Sequence, residues 1–168
     1  MINKNNYNQK YLPDFIFGGV DGLVTTFAVV SGVVGASLSS SIILILGFAN
    51  LFADGFSMAI SNYLSSQSEE DLNQNLSDKK ATLAALVTFF AFIIIGFIPL
   101  FPFVIDFGKN NFVLSIILTL IAFSIVGYIK GWITGKGKII SALQTLSMGA
   151  LAAIIAYSVG HLLAGLGV

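Results

Sequence analysis

The chain has 168 residues, of which 56% are hydrophobic and only 10% charged. A soluble domain carries roughly 25% charged residues, so this chain lacks the polar surface of a cytosolic enzyme, and its mean hydropathy of +0.91 points to a membrane as solvent. Eight basic residues balance eight acidic ones, which excludes a nucleic-acid binder, and the absence of cysteine excludes disulfides, zinc–thiolate sites and thiol catalysis.

The composition predicts an all-α integral membrane protein, a single transmembrane domain over residues 1–168. Five runs reach the ~20 apolar residues that a spanning helix needs: about 15–36, 41–64, 82–104, 112–130 and 139–166. The first run follows a polar tail with Lys4 and Lys10. It is too long for a signal-peptide core, and Asp21 interrupts it. Pro13 suits its first turn, with Asp14 near the positive end of the helix dipole. Gly18 and Gly22 form a G-x-x-x-G pattern that permits close helix approach.

Gly35 and the run Ser39-Ser40-Ser41 make a short turn into the second helix. Asn50, Asp54 and Met58 stand there at i, i+4 and i+8, on one helical face. Ser57 and Ser61 flank that stripe, and Ala49, Ala53, Ser57, Ser61 and Ser65 form a ladder of small residues. Ser65 to Lys80 reads as the one long polar linker. Its Glu69-Glu70-Asp71 run is either a solvated loop or a mouth where Glu69 and Glu70 attract cations. Ser77 is a candidate cap for the third helix, which Pro99 and Pro102 kink or end. Asn62, Thr88 and Gln144 read as interhelical hydrogen-bonders. Tyr128 and Trp132 fit an interfacial belt. Gly131, Gly135 and Gly137 mark the loop before the fifth helix. His161, near that helix's outer end, reads as an interfacial residue or one satisfied within the bundle.

The lysines orient the chain. With the N-terminus in the cytoplasm, Lys4, Lys10, Lys79, Lys80, Lys130, Lys136 and Lys138 all lie inside and only Lys109 outside. That bias follows the positive-inside rule and requires an odd number of spans, so the C-terminus is expected outside.

Two acids fall within the membrane, Asp21 and Asp54. A charge at the bilayer centre costs about 2.5–3.5 kcal/mol on insertion scales, so such residues face a bundle interior or an aqueous path. At 1.5 Å per residue, Asp21 lies about 12 Å into the first helix. Counted from the inner end of the second, Met58 lies about 9 Å in, Asp54 about 15 Å and Asn50 about 21 Å. Carboxylate, amide and thioether therefore converge in one layer. Oxygen ligands suit hard divalent ions, and a thioether adds preference for transition metals such as Fe²⁺ and Mn²⁺. The bland alternative makes both acids neutral or mere helix glue, and Met58 core filler.

These residues carry a family resemblance. Asp21-Gly22-Leu23-Val24-Thr25-Thr26 resembles the first-helix motif of the vacuolar iron transporter family. Asn50 through Met58, with Tyr63-Leu64-Ser65 and Ser68-Glu69, resembles its second-helix signature. Ile98-Pro99-Leu100 with Pro102, the Lys130-Gly131 to Thr134-Gly135 loop and the Gly149 to Gly160 stretch are similar to its remaining helices. The resemblance implies a dimeric five-helix carrier that moves Fe²⁺ or Mn²⁺ out of the cytosol, in exchange for protons, with Asp21 and Met58 at the transport site. The chain departs from the pattern in two places. Asn50 stands where the family's characterised iron transporters have Glu, and Asp54 is an acid they lack. The short segment from Ser65 to Lys80 also replaces their Glu-rich cytoplasmic metal-binding domain.

Taken together, the residues propose Asp21, Asp54, Met58 and Asn50 as metal ligands, in a homodimer joined through helices one and two by way of Gly18, Gly22 and the Ala49 to Ser61 ladder. The partners are membrane lipid, protons and the metal as substrate. The membrane is a bacterial inner membrane or that of an organelle. No P-loop, Rossmann fingerprint, H-E-x-x-H or nucleophile elbow occurs, so neither an enzyme nor a resident cofactor is expected. Two readings compete with the carrier of metal. One is a non-transporting scaffold in which Asp21 and Asp54 hold helices together, and the other is a proton-coupled carrier of an organic solute.

Overall fold

A computed structural model describes residues 10–72, 80–135 and 137–166. Its helices are α1 (Leu12–Gly35), α2 (Ser40–Leu72), α3 (Ala81–Gly96), α4 (Phe101–Ile105), α5 (Asn111–Ile133) and α6 (Lys138–Gly165). A 3-10 turn over Ile98–Leu100 joins α3 to α4. Among the described residues five stretches are long and apolar enough to cross a membrane, namely Leu12–Gly35, Ser40–Glu69, Ala81–Ile105, Gly108–Ile133 and Lys138–Gly165.

Local chemistry sets most of the boundaries. Pro13 lies in the first turn of α1 beside Asp14. At the other end Ser37 takes the left-handed conformation, φ 58°. Its N–H donates to Val34 O at 2.9 Å and that of Leu38 to Val33 O at 3.1 Å. This is the helix-ending turn in which glycine usually serves. In the third span the α-helix stops at Gly96, because Pro99 and Pro102 cannot donate backbone hydrogen bonds. The Pro99 carbonyl instead accepts from Ser115 Oγ of α5 at 2.7 Å.

Asp106 reverses the chain after α4 at φ 60°. Its carboxylate accepts from the Asn111 side-chain amide at 2.9 Å and from the Gly108 N–H at 3.2 Å. Those donors, Asn111 first, hold this carboxyl below its ordinary value. A lowered folded-state value stabilises the turn above the usual carboxylate range, and that stabilisation disappears as pH falls through the lowered value.

One element departs from expectation. The polar stretch after Leu64 is not linker at its start, because α2 continues to Leu72. Ser68 Oγ donates to Leu64 O at 2.8 Å and Ser66 Oγ to Asn62 Oδ1 at 3.3 Å. Hydropathy drops where the helix leaves the apolar layer, while the backbone hydrogen-bond ladder continues. The residue preceding α3 is Lys80, which makes no side-chain cap. Ser77, the expected cap, lies outside the described residues, as do Lys4, Lys79 and Lys136.

The helix α1 is the centre of the bundle, packing along α3 and α6 more closely than along α2. Val30, Val33, Ile43, Leu51, Phe92, Leu100 and Phe103 form one buried cluster, and Leu23, Ile95, Ala122, Phe123 and Val126 form a second. Large apolar side chains such as Ile45, Phe52, Ile94, Ile139 and Leu162 are exposed, as lipid contact requires. At one end the Lys80 amide donates to Tyr11 Oη at 3.1 Å, tying the start of α1 to the start of α3. Lys138 Nζ sits over Tyr128 and Trp132, 5.4 and 5.9 Å from the ring centroids, consistent with the expected aromatic belt. His161 is exposed and stacks on Tyr157.

Gly18 and Gly22 correct the expected dimer contact. A Cβ on Gly18 would collide with the Thr88 backbone carbonyl, and one on Gly22 with that of Phe92. Both glycines are buried against α3 of their own chain. The G-x-x-x-G pattern thus brings α1 and α3 together instead of joining two copies. Gly22→Val should force these backbones apart and destabilise the fold by about 1–3 kcal/mol or more, the range for overpacking. Thermal unfolding in detergent measures this, and an unchanged midpoint would refute the close-approach role.

Candidate metal-binding seam

The helices α1 and α2 run antiparallel and meet along a polar seam. Two hydrogen bonds fix their register. Asn50 Nδ2 on α2 donates to Thr25 Oγ1 on α1 at 3.4 Å. Three helical turns further along α2, Asn62 Nδ2 donates to Asp14 Oδ1 at 2.9 Å. Stepping one turn from Thr25 to Asp21 and one turn from Asn50 to Asp54 brings the two acids opposite each other. They lie close enough for their charges to interact.

Both acids are half-buried. Thr25 Oγ1 donates to the Asp21 backbone carbonyl at 2.9 Å, so the neighbouring hydroxyl turns to the backbone and leaves the carboxylate alone. Among the described residues neither the Asp21 nor the Asp54 carboxylate accepts a hydrogen bond. Two like-charged groups facing each other without donors are expensive at membrane depth unless a proton or a cation sits between them.

The four expected ligands do not all converge equally. Asp21 and Asp54 are paired, and Asn50 stands one turn away with its amide nitrogen engaged by Thr25. Met58 is half-buried on the same face of α2, and its side chain packs against the first apolar cluster. Glu69 is exposed near the end of α2, while the side chain of Glu70 lies outside the description. Among the described residues no group of three His, Cys, Asp or Glu side chains could hold a metal. One chain offers two carboxylates, an amide and a nearby thioether, four groups where an octahedral divalent-ion shell takes six.

A third acid escaped the sequence reading. Asp14 looked like a dipole-matched residue at a helix end, yet it is only 5% exposed. Asn62 Nδ2 binds its Oδ1 and also Thr88 Oγ1 and Ala84 O, while Thr88 Oγ1 donates to Asp14 O at 3.5 Å. The expected interhelical roles of Asn62 and Thr88 are present, and Gln144 is instead exposed on α6. The signal for Asp14 was in the spacing. It stands seven residues before Asp21, and Asn62 and Ser66 extend the stripe of Asn50, Asp54 and Met58 at steps of four.

Comparison with known proteins identifies the family. Residues 12–83 and 72–161 match the sequence profile of the VIT family. The vacuolar iron transporter 1 of Tulipa gesneriana is 29% identical, with 86% of this chain and 84% of the relative aligned. That of Arabidopsis thaliana is also 29% identical, covering 86% and 82%. The vacuolar iron transporter of Toxoplasma gondii is 46% identical over 69 residues, 41% of this chain and 23% of the relative. The tulip alignment runs over 207 residues although this chain has 168, so the relative carries sequence with no counterpart here. The two profile matches overlap over residues 72–83, at the α2–α3 link. With the profile covering the chain from α1 to α6, this integral membrane protein belongs to the VIT family.

Proposed function

We propose that the chain is a divalent-metal carrier that moves Fe²⁺, and by the same ligand chemistry Mn²⁺, out of the cytosol in exchange for protons. The observation that carries this reading is the Asp21–Asp54 pair, two carboxylates opposed across a helix seam that accept no hydrogen bond among the described residues. A cation replaces the missing positive charge, and protons replace the cation when it leaves. Relatives named as vacuolar iron transporters support iron as substrate and suggest an organelle membrane. The thioether of Met58 favours Fe²⁺ and Mn²⁺ over Ca²⁺. The N-terminus is cytoplasmic and the C-terminus outside, by the lysine bias.

The working unit in this proposal is a homodimer. One chain supplies only part of a ligand shell, and a two-fold axis along the membrane normal supplies the rest. With Gly18 and Gly22 occupied by α3, the contact falls to α2, whose Ala49, Ala53, Ser57, Ser61 and Ser65 are all exposed. A single cysteine at Ser57 should cross-link to a dimer in membranes, whereas one at the exposed Ile125 of α5 should not. Cross-linking at Ile125 instead would overturn the arrangement.

Metal uptake into proteoliposomes tests the function. Fe²⁺ and Mn²⁺ should accumulate, with proton movement in the opposite direction, and Ca²⁺ should not. No uptake above protein-free vesicles would leave the scaffold reading, in which the two acids only join helices.

A further inference from the structure

We propose that the Asp14–Asn62–Thr88 cluster is a gate between the Asp21–Asp54 pair and the face of the membrane that carries the start of α1, with Asn62 as its moving member. The inference rests on the carrier reading and adds to it the place where the path closes.

The seam is continuous. On α1, Thr25, Asp21 and Asp14 share a face, with Gly18 between the acids. On α2, Asn50, Asp54, Met58, Asn62 and Ser66 recur every fourth residue. Asp14 lies about 10 Å from Asp21 along α1, and Asn62 about 12 Å from Asp54 along α2. The cluster therefore stands two helical turns from the carboxylate pair on the same two faces. An ion following the seam between that pair and this end of the bundle has to pass it.

The cluster is also shut. Thr88 is fully buried, and Asp14 and Ser66 are each 5% exposed. The Asn62 amide bridges three helices by reaching Asp14 on α1 and Thr88 and Ala84 on α3, while its carbonyl accepts from Ser66. At the far side of the acids the corresponding link is weaker, a single Asn50–Thr25 contact of 3.4 Å. The carboxylate pair is thus sealed more firmly on the side of Asn62.

The packing says which part moves. Gly18 and Gly22 lock α1 to α3 at backbone distance, so Asp14 and Thr88 form a rigid pair. The helix α2 lies less closely on α1; beside the apolar cluster of Val30 and Val33 with Ile43 and Leu51, it touches α1 through amide side chains at Asn50 and Asn62. The helix α2 is itself packed on α3 through Leu51 and Phe92, so the part free to move is the Asn62 side chain, whose turning breaks the bonds to Asp14 and Thr88 and opens the seam. Asn62 acts by admitting the ion to Asp21 and Asp54, and is a positioning residue.

The chain's lack of cysteine permits a direct test. A single cysteine at Met58 reports access to the site, read as its labelling rate by a membrane-impermeant thiol reagent added at the face bearing the start of α1. Adding Asn62→Ala should raise that rate about tenfold or more, the effect of losing a hydrogen bond to a charged group. A cysteine at Ala91, buried in α3, should label no faster in the Asn62→Ala background. An unchanged rate at position 58, or equal rises at 58 and 91, would overturn the gate, the second because it shows general loosening. In a second variant, Asp14→Cys with Asn62→Cys, oxidation should lock the seam. Fe²⁺ uptake should then be at least about tenfold higher after reduction, and full uptake while cross-linked would overturn the proposal. If the unaltered chain takes up no metal, the carrier reading fails, whereas uptake with unchanged labelling means the gate alone fails.

Discussion

Asp21→Asn should leave the bundle folded and reduce Fe²⁺ uptake to the level of protein-free vesicles. The substitution keeps the shape and size of the side chain and removes only its charge. The hydrogen bond that Thr25 makes here goes to the Asp21 backbone carbonyl, so it survives, and stability should stay within about 1 kcal/mol. The change removes one of the two opposed carboxylates and with it half of the negative charge that one chain offers a divalent ion. Normal uptake by this variant would show that Asp21 carries no metal and serves only to join helices. Met58→Leu is the milder companion. It preserves the apolar packing of this half-buried side chain against the first cluster and removes only sulfur. Selectivity for Fe²⁺ over Ca²⁺ should fall while total uptake persists, and unchanged selectivity would leave Met58 as packing alone.

The five spans were legible because lipid imposes a long apolar run on each, and the prolines of the third span marked its break. Three features were harder to read, each for a physical reason. The extension of α2 to Leu72 lies beyond the apolar layer, where hydropathy no longer reports on the backbone. The Gly18–Gly22 pattern announces a close approach but not the identity of the neighbour, and α3 rather than a second copy fills it. Asp14 is buried because α2 and α3 close over the start of α1, a contact between residues 48 and more positions apart. No local pattern reveals that. By contrast helix rise alone put Asp21 level with the stretch between Met58 and Asp54, since antiparallel helices bring residues of similar depth together; the register at Asn50–Thr25 then sets it opposite Asp54.

The departure at Asn50 and Asp54 yields the sharpest test. A glutamate at position 50, as the resemblance implies for characterised iron transporters, would place its carboxylate one turn from Asp54 towards Thr25. In this chain Asn50 donates to Thr25 instead, so its amide nitrogen is occupied and only its carbonyl oxygen remains for a metal. The charge reappears at Asp54, opposite Asp21. In the proposed function Asp54 takes over the carboxylate role, moved by one helical turn. Asp54→Asn should abolish uptake with little loss of stability, because among the described residues no hydrogen bond to its carboxylate is broken. Asn50→Ala should be milder, removing a long 3.4 Å contact worth about 1 kcal/mol or less. The pair Asn50→Glu with Asp54→Gly should restore part of the uptake, since it returns the charge to the seam one turn away. If Asp54 were only a neutral acid bonded within the membrane, Asp54→Asn would transport normally, because an amide serves equally as a hydrogen-bonding group. Uptake normalised to folded protein separates these outcomes. A transport-competent Asp54→Asn would confine the metal site to Asp21 and the groups that a second copy brings to it.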